Sequence, residues 1–366
     1  MTRRRFAVAL VTGVAIILSA PVAQQLFTEA GARWPGQFRA IGIGATGLPA
    51  GAALLFAAAR IRDRHLLRCL ALVLSAGVAV GYVLVGGLSF GESFHFVEYG
   101  LLAVLLYRAW RSVEDGSVFV LPALAGILVA TLDEWFQWFI PIRVGEARDV
   151  ALNGVAIGCG LLLALAIDPP DRLTLALRAE SRRWVGAWAA AAVVVFGLFF
   201  QSVHLGYTIS DDEGRTFRSR FSPRDLVTAS DERAVRWRAS PPIAVRRLSR
   251  EDQYLSEGLW HVQRRNEAWS AGDARGAWHE HRILETFYSP VLDAPSYVGA
   301  AGQRWPPGQR ADAAARAAAD RRPYTSDAHP FPLYSWPKAI VWGAQGVLLA
   351  AVAAVLWLNR FRDLRG

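Results

Sequence analysis

Apolar runs of about 20 residues recur along the chain, separated by charged or Gly/Pro-rich breaks. A bilayer hydrocarbon core about 30 Å thick is crossed by about 20 apolar residues in a helix, so each run predicts a membrane-spanning helix. The fourth run is short, and the fifth carries two acids. The eight runs cover residues 6–26, 38–59, 69–90, 94–110, 118–140, 149–167, 184–204 and 338–358.

Arginines in the breaks predict the orientation of these helices. Cytoplasmic loops retain positive charge, and arginines cluster before the first run and after the second, fourth, sixth and eighth, which places both termini in the cytoplasm. The first run also resembles a signal peptide, whose cleavage would leave seven helices in the same orientation. The clusters are Arg3, Arg4 and Arg5; Arg60, Arg62, Arg64 and Arg68; Arg108 and Arg111; Arg172, Arg178, Arg182 and Arg183; and Arg360, Arg362 and Arg365.

Residues 205–337 form a polar stretch that this orientation places outside the cytoplasm. Alternating apolar and polar side chains predict strands at Phe217–Phe221, after a turn at Asp211–Gly214, and at Val235–Arg238. Helical spacing predicts a two-helix hairpin over 254–269 and 278–288, and a further helix over 311–322.

The predicted fold is an all-α polytopic membrane protein with about eight transmembrane helices and an α+β extracytoplasmic domain between the last two. Its predicted parts are helices 1–2 with a cytoplasmic loop (1–68), a transmembrane core of helices 3–6 (69–167), a cytoplasmic loop with helix 7 (168–204), the extracytoplasmic domain (205–337), and helix 8 with a cytoplasmic tail (338–366).

Composition and charge agree with a membrane location. The chain is 53% hydrophobic, with a mean hydropathy of +0.23 and a formal net charge of +9. Nucleic-acid binding would need that charge on one soluble face, whereas the arginines here punctuate apolar runs. Cys69 and Cys159 both lie in apolar runs, so the extracytoplasmic domain has no thiol. The Ala- and Arg-rich composition is typical of a high-GC bacterial genome, and we expect a multi-pass protein of the bacterial inner membrane.

Ionisable residues inside the predicted helices gather near one side of the membrane. Each costs about 2.5–3.5 kcal/mol at the bilayer centre, so their positions are informative. Asp133 lies about 22 Å from the inner edge of the fifth helix, and the fourth and sixth helices begin on the same outer side. The polar residues of the fourth, fifth and sixth helices in this group are His95, Glu98 and Tyr99; Asp133, Glu134 and Gln137; and Asp149 and Asn153, and Arg143, Glu146 and Arg148 lie between the fifth and sixth helices.

These three helices resemble the VanZ-like family. The family pattern is a His-Phe-x-x-Tyr helix, an acidic-Gln helix, Pro-x-Arg, and Asp-x-x-x-Asn-x-x-Gly. The resemblance covers roughly residues 69–167 and implies a link to low-level glycopeptide resistance, particularly to teicoplanin. Glu146 beside Arg148 and the large appended domain depart from the pattern. The matching residues are His95, Phe96 and Tyr99; Glu134 and Gln137; Pro141 and Arg143; and Asp149, Asn153, Gly154 and Gly158.

The leading hypothesis is an outer-leaflet site for a membrane lipid or a lipid-linked envelope precursor. His95, Glu134 and Asp133 are the candidate acid–base residues. Arg143 would hold a phosphate or carboxylate. No cofactor is indicated, and no helix offers a His-x-x-x-His metal pair. The candidate substrate-binding residues are Glu98, Tyr99, Gln137, Arg143, Asp149 and Asn153.

Other interpretations stay open. The polar group could be a structural network that fixes helix packing, in a non-catalytic scaffold or sensor whose residues 205–337 recognise an envelope protein. A divalent metal held by His95, Asp133, Glu134 and Asp149 is a weaker alternative. A transporter is weaker still, because the sequence shows no inverted repeat or midplane site. Gly154 and Gly158 are expected to let a neighbouring helix approach closely.

Overall fold

The computed structural model describes residues 3–140, 143–174, 176–239, 250–293, 303–318 and 322–362. The chain divides into two compact units. The membrane unit comprises Met1–Gln137, Gly145–Phe199 and Val341–Gly366, and the second unit comprises Trp138–Val144 and Phe200–Ile340.

Helices account for most of the described chain. The long helices are α1 (Arg3–Arg33), α2 (Phe38–Arg60), α3 (His65–Gly86), α4 (Phe90–Trp110), α5 (Ser117–Trp138), α6 (Ala147–Ile167) and α7 (Ala179–His204). The polar stretch then contains β1 (Tyr207–Ser210), β2 (Arg215–Ser219), α8 (Pro223–Ala239), α9 (Arg250–Ser270), α10 (Ala274–Phe287), α11 (Ser289–Leu292), α12 (Pro307–Ala317) and β3 (Tyr324–Thr325). The last helix is α13 (Lys338–Arg362).

Seven helices in the described residues are long and apolar enough to cross a membrane. They are α1, α2, α3, α5, α6, α7 and α13, which correspond to all the predicted spans except the fourth. Many large apolar side chains on these helices are exposed, including Leu48, Leu66 and Val85, as expected for side chains that face lipid. The chain is therefore a multi-pass membrane protein, with a polar α+β region before its last helix.

Protein surrounds much of helix α4, as it does α5 and α6. Helix α4 packs against α1, α2 and α6. Its 21 residues span about 31 Å, the thickness of the hydrocarbon core. A helix lined by other helices can carry polar groups that a lipid-facing helix cannot. Its buried hydrophobic residues are Tyr99, Leu102, Ala103, Leu106, Tyr107, Ala109 and Trp110.

Helices α4 and α6 run parallel and touch through glycine. A Cβ atom added to Gly160 would lie 2.5 Å from the carbonyl oxygen of Gly100, so only glycine permits this approach. Further along, the Tyr107 hydroxyl donates to the Asp168 carbonyl at 2.7 Å. Added Cβ atoms at Gly154 and Gly158 would meet nothing within 4 Å. The prediction that this pair mediates close packing is therefore wrong.

Buried Arg68 on α3 caps the C-terminal end of α6. Its Nε donates to the Ala166 carbonyl at 2.8 Å, and its Nη2 donates to the Ile167 carbonyl at 3.0 Å. The last carbonyls of a helix have no partner within the helix, and a cation there also interacts favourably with the helix dipole. This residue therefore ties α3 to the end of α6.

A three-stranded sheet opens the second unit. Strand β1 pairs antiparallel with β2, and β2 pairs parallel with β3. The predicted turn joins β1 to β2, with Gly214 at φ +76° and the Asp211 carboxylate accepting from the backbone N–H of Arg215 at 2.9 Å. Ile209 and Phe217 pair across the strands and are buried. The first predicted strand is therefore present.

The second predicted strand, over Val235–Arg238, is wrong, because this segment lies in α8. The Ser222 hydroxyl accepts from the backbone N–H of Asp225 at 3.2 Å, and Pro223 opens the helix, which is a common helix start. A four-residue alternation is too short to distinguish a strand from a helix.

The predicted helical hairpin is present as α9 and α10. Gly272, at φ +81°, ends the first helix, and the Asp273 carboxylate accepts from the backbone N–H of Gly276 at 2.8 Å to begin the second. Helix α12 corresponds to the helix predicted over 311–322 but begins earlier, at Pro307.

Candidate ligand site in the membrane bundle

Two neighbouring carboxylates on α5 lie buried inside the bundle. Asp133 and Glu134 are 2% and 1% exposed, and Gln137 is 4% exposed. The Tyr99 hydroxyl on α4 donates to Asp133 Oδ2 at 2.8 Å, and Gln137 Nε2 donates to the same oxygen at 3.0 Å. Because residues four apart share a helix face, Gln137 reaches Asp133 from the next turn. The structure therefore brings Tyr99, Asp133 and Gln137 together.

Glu134 links α5 to the start of α6. Its Oε2 accepts from the backbone N–H of Glu146 at 3.2 Å, and its Oε1 lies 3.4 Å from Gln137 Nε2. Glu146 is the N-cap residue of α6. A carboxylate is favourable at a helix N-terminus because the free N–H groups and the helix dipole both attract negative charge.

The N-terminal part of α4 supplies two of the other predicted residues. His95 Nδ1 lies 3.6 Å from Glu98 Oε2, and the rings of His95 and Tyr99 have centroids 5.9 Å apart. His95 therefore has a carboxylate beside it and stands next to the hydroxyl-bearing ring that contacts Asp133. A histidine and a carboxylate in this arrangement can transfer protons.

A bridge between α4 and α6 was not among the predicted features. Ser89 and Glu92 form a reciprocal capping box at the start of α4, and Arg148 Nη2 donates to Glu92 Oε1 at 2.9 Å. The Ser-x-x-Glu spacing before an apolar run is the sequence signal that could have identified the capping box, which holds Glu92 in place for Arg148.

Asn153 on α6 is fully buried, and neither atom of its amide group has a hydrogen-bond partner among the described residues. The contact between Gly160 and Gly100 indicates the depth of Asn153 in the bundle, because α4 and α6 run parallel. Asn153 precedes Gly160 by as many residues as Ser93 precedes Gly100. Asn153 therefore lies at about the level of Ser93 and of His95, which is close to Ser93 on α4. Asp149, one turn earlier on α6, shares its helix face.

Arg143 lies on the segment Trp138–Val144, which belongs to the second unit. Its backbone N–H donates to the Ile140 carbonyl at 3.0 Å. Pro141 of the predicted Pro-x-Arg pattern lies outside the described residues. The site as defined within the membrane unit therefore comprises groups from α4, α5 and α6.

The arrangement is rich in hydrogen-bond acceptors. Within the described residues, no three His, Cys, Asp or Glu side chains are placed to hold a metal ion. Two buried carboxylates, one histidine and one unpaired amide can instead bind hydroxyl, amide or amine groups through charge-assisted hydrogen bonds. The site residues in the membrane unit are His95, Glu98, Tyr99, Asp133, Glu134, Gln137, Asp149 and Asn153.

Comparison with known proteins gives one match. No curated protein and no solved structure matches the chain. A family model described as VanZ/LLP1 matches residues 52–168. This match begins within α2, ends just after α6, and contains the polar residues of α4, α5 and α6. Residues 52–168 are thus similar to the VanZ/LLP1 family, in agreement with the resemblance based on His95 to Asn153.

Proposed function

We propose that this VanZ-like membrane protein belongs to the bacterial cell envelope and binds the polar part of a lipid or cell-wall precursor at the site on α4, α5 and α6. The site would open to the outer leaflet, with both chain termini in the cytoplasm. The unpaired amide of Asn153 carries the proposal. The link to glycopeptide resistance comes from the family resemblance alone.

An unpaired buried amide is energetically unfavourable. Leaving a buried donor or acceptor unsatisfied costs roughly 1–3 kcal/mol for each group. A structural network can avoid this cost with an apolar residue of similar size, whereas a binding site must keep groups that pair only with the ligand. Asn153 offers both a donor and an acceptor, which suits a hydroxyl or amide group of a sugar or peptide.

The nearby acid–base groups allow modification or movement of the bound molecule. His95 beside Glu98 could exchange protons with a ligand hydroxyl. Asp133, which accepts from Tyr99 and Gln137, would hold a ligand donor in a fixed position. Asp133 and Glu134 would then serve as a base or as binding groups.

Lipid co-purification tests the proposal. The full-length protein would be purified in nanodiscs made from its host membrane, and the retained lipids identified by mass spectrometry. We expect the wild type to enrich a polar lipid species that Asn153→Leu loses by about tenfold or more, which corresponds to about 1.4 kcal/mol.

Thr131→Val is the matched control for that experiment. Thr131 is fully buried, and its hydroxyl donates to the Ile127 carbonyl of its own helix at 2.9 Å. The substitution therefore removes a polar group from the same bundle outside the site, and lipid enrichment should persist. Equal enrichment in wild type and Asn153→Leu would contradict the proposal.

A second candidate function is a non-catalytic scaffold or sensor whose second unit, with residues 205–337, recognises an envelope protein. The satisfied bonds of Tyr99 and Glu146 to the α5 carboxylates favour this alternative, since they hold α4 and the start of α6 against α5. It predicts that substitutions at Asp133 or Glu134 lower protein stability before they change lipid content. Parallel thermal unfolding of the same purified samples separates the two candidates.

A further inference from the structure

Helix α9 carries three fully buried polar side chains four residues apart, Glu257, His261 and Arg265, which are 1%, 1% and 2% exposed. Glu257 and His261 both have polar side chains as partners. The Ser219 hydroxyl donates to Glu257 at 2.7 Å, and Glu280 Oε2 lies 2.7 Å from His261 Nδ1. Arg265 is the largest of the fully buried side chains, and its environment is different.

Within the described residues, the hydrogen-bond partners of the Arg265 guanidinium are all neutral. Its Nε and Nη2 donate to Asn266 Oδ1 at 3.1 and 3.0 Å, and its Nη1 lies 3.3 Å from His281 Nδ1. The Trp305 ring lies over it, with Cζ 4.9 Å from the ring centroid. A buried cation without an opposite charge is costly, because the surrounding protein replaces little of its hydration.

The titration behaviour agrees with this environment. Burial lowers the pKa of Arg265 to about 10 and lowers the pKa of His281 to about 4. Arg265 is therefore charged and His281 neutral at pH 7, so the His281 Nδ1 lone pair can accept from the guanidinium. The contact between Arg265 and His281 satisfies a hydrogen bond, but neutral His281 does not balance the positive charge of the guanidinium.

The arginines on the surface next to His281 have carboxylate partners, unlike Arg265. Arg282 and Arg310 both donate to Glu285, at 2.6 and 2.8 Å, and Arg282 also pairs with Glu213 at 3.3 Å. Glu285 Oε1 lies 3.3 Å from His281 Nε2. Two carboxylates therefore face these two arginines, and the charge of buried Arg265, on the other side of the imidazole, is left to attract an anion.

We propose that Arg265, His281 and Trp305 form a binding site for an oxyanion, a carboxylate or phosphate group, that supplies the missing negative charge. Within the described residues, three of the five guanidinium N–H groups bond to Asn266 and His281, which leaves one on Nη1 and one on Nη2 for the two oxygens of such a group. Arg265 and His281 are buried and Trp305 is partly exposed, so an anion would reach the guanidinium beside the Trp305 ring.

Thermal unfolding of the full-length protein in detergent tests the proposal. Inorganic phosphate or acetate would replace chloride at constant ionic strength, with tryptophan fluorescence as the readout. At about ten times the dissociation constant we expect Tm to rise by roughly 3 °C for the wild type. Arg265→Gln should lose the rise, whereas Arg224→Gln, which removes an exposed charge on α8, should keep it.

The two anions distinguish the sources of the group, since a larger shift with phosphate indicates a phosphate group and a larger shift with acetate a carboxylate. Arg265→Lys covers the case in which Arg265→Gln does not fold. Lysine keeps the charge but lacks the paired donors, so the half-saturating anion concentration should rise about fivefold or more. An unresponsive wild type, or a lysine or glutamine variant that responds as the wild type does, would overturn the proposal.

Discussion

Replacement of Asn153 by leucine should stabilise the membrane unit. The Asn153 amide is fully buried, and neither its oxygen nor its nitrogen has a hydrogen-bond partner in the described part of the chain. Removing one unsatisfied buried polar group recovers roughly 1–3 kcal/mol, and leucine fills a similar volume. At roughly 2–4 °C per kcal/mol we expect Tm to rise by several degrees. The same variant should lose the enriched lipid.

The two cysteines provide the assay. Cys159 is buried on α6, the helix that carries Asn153, whereas Cys69 is exposed. In a Cys69→Ser background, a thiol-reactive fluorogenic dye therefore reports the temperature at which Cys159 becomes accessible. The measurement should be made on delipidated protein, so that a bound ligand does not stabilise the wild type. A Tm that falls by several degrees in Asn153→Leu would refute the reasoning, because it would show that the amide makes favourable bonds inside the protein.

Three further predictions follow from named contacts. Tyr99→Phe removes the hydrogen bond to Asp133 and should lower the free energy of unfolding by roughly 1.5–3 kcal/mol, measured by the same thiol assay, since the bond reaches a buried carboxylate. Arg68→Met leaves the carbonyls at the end of α6 without donors and should cost more than about 2 kcal/mol, whereas exposed Arg62→Met should be nearly neutral. The pKa of His281 is lowered by burial to about 4, below the unfolded value of about 6.5. Between these values the unfolded state binds more protons, so the second unit should lose up to about 3 kcal/mol as pH falls from 6.5 to 4. Thermal unfolding across that range should show a flatter profile for His281→Gln.

The sequence predicts most of the membrane helices, because runs of apolar residues leave little choice in a bilayer. It also predicts which residues of α4 and α5 share a face, since helical spacing fixes this locally. The contact between Tyr99 and Asp133 depends on the depth at which two helices pack, and Gly160 rather than Gly154 or Gly158 sets the neighbouring contact of α4 with α6. Such registers come from tertiary packing, which a single sequence does not encode locally.

Two other features could not be predicted from the sequence: the conformation of Val235–Arg238 and the burial of Arg265. The Val235–Arg238 alternation fits a strand, but the helix start at Ser222 and Pro223 decides its conformation. Arg265 looks like a solvated residue, because arginine is rarely fully buried. Its burial follows from the packing of α9 against α10, which brings His281 beside it.

The most direct test of the candidate site is an experimental structure of the full-length protein in its native lipid, at a resolution that shows ordered headgroups and water. Binding at the site on α4, α5 and α6 predicts non-protein density within about 3 Å of the Asn153 amide, continuous with an acyl chain at the bilayer edge. A dry, closed bundle in which other side chains satisfy the Asn153 amide would contradict it.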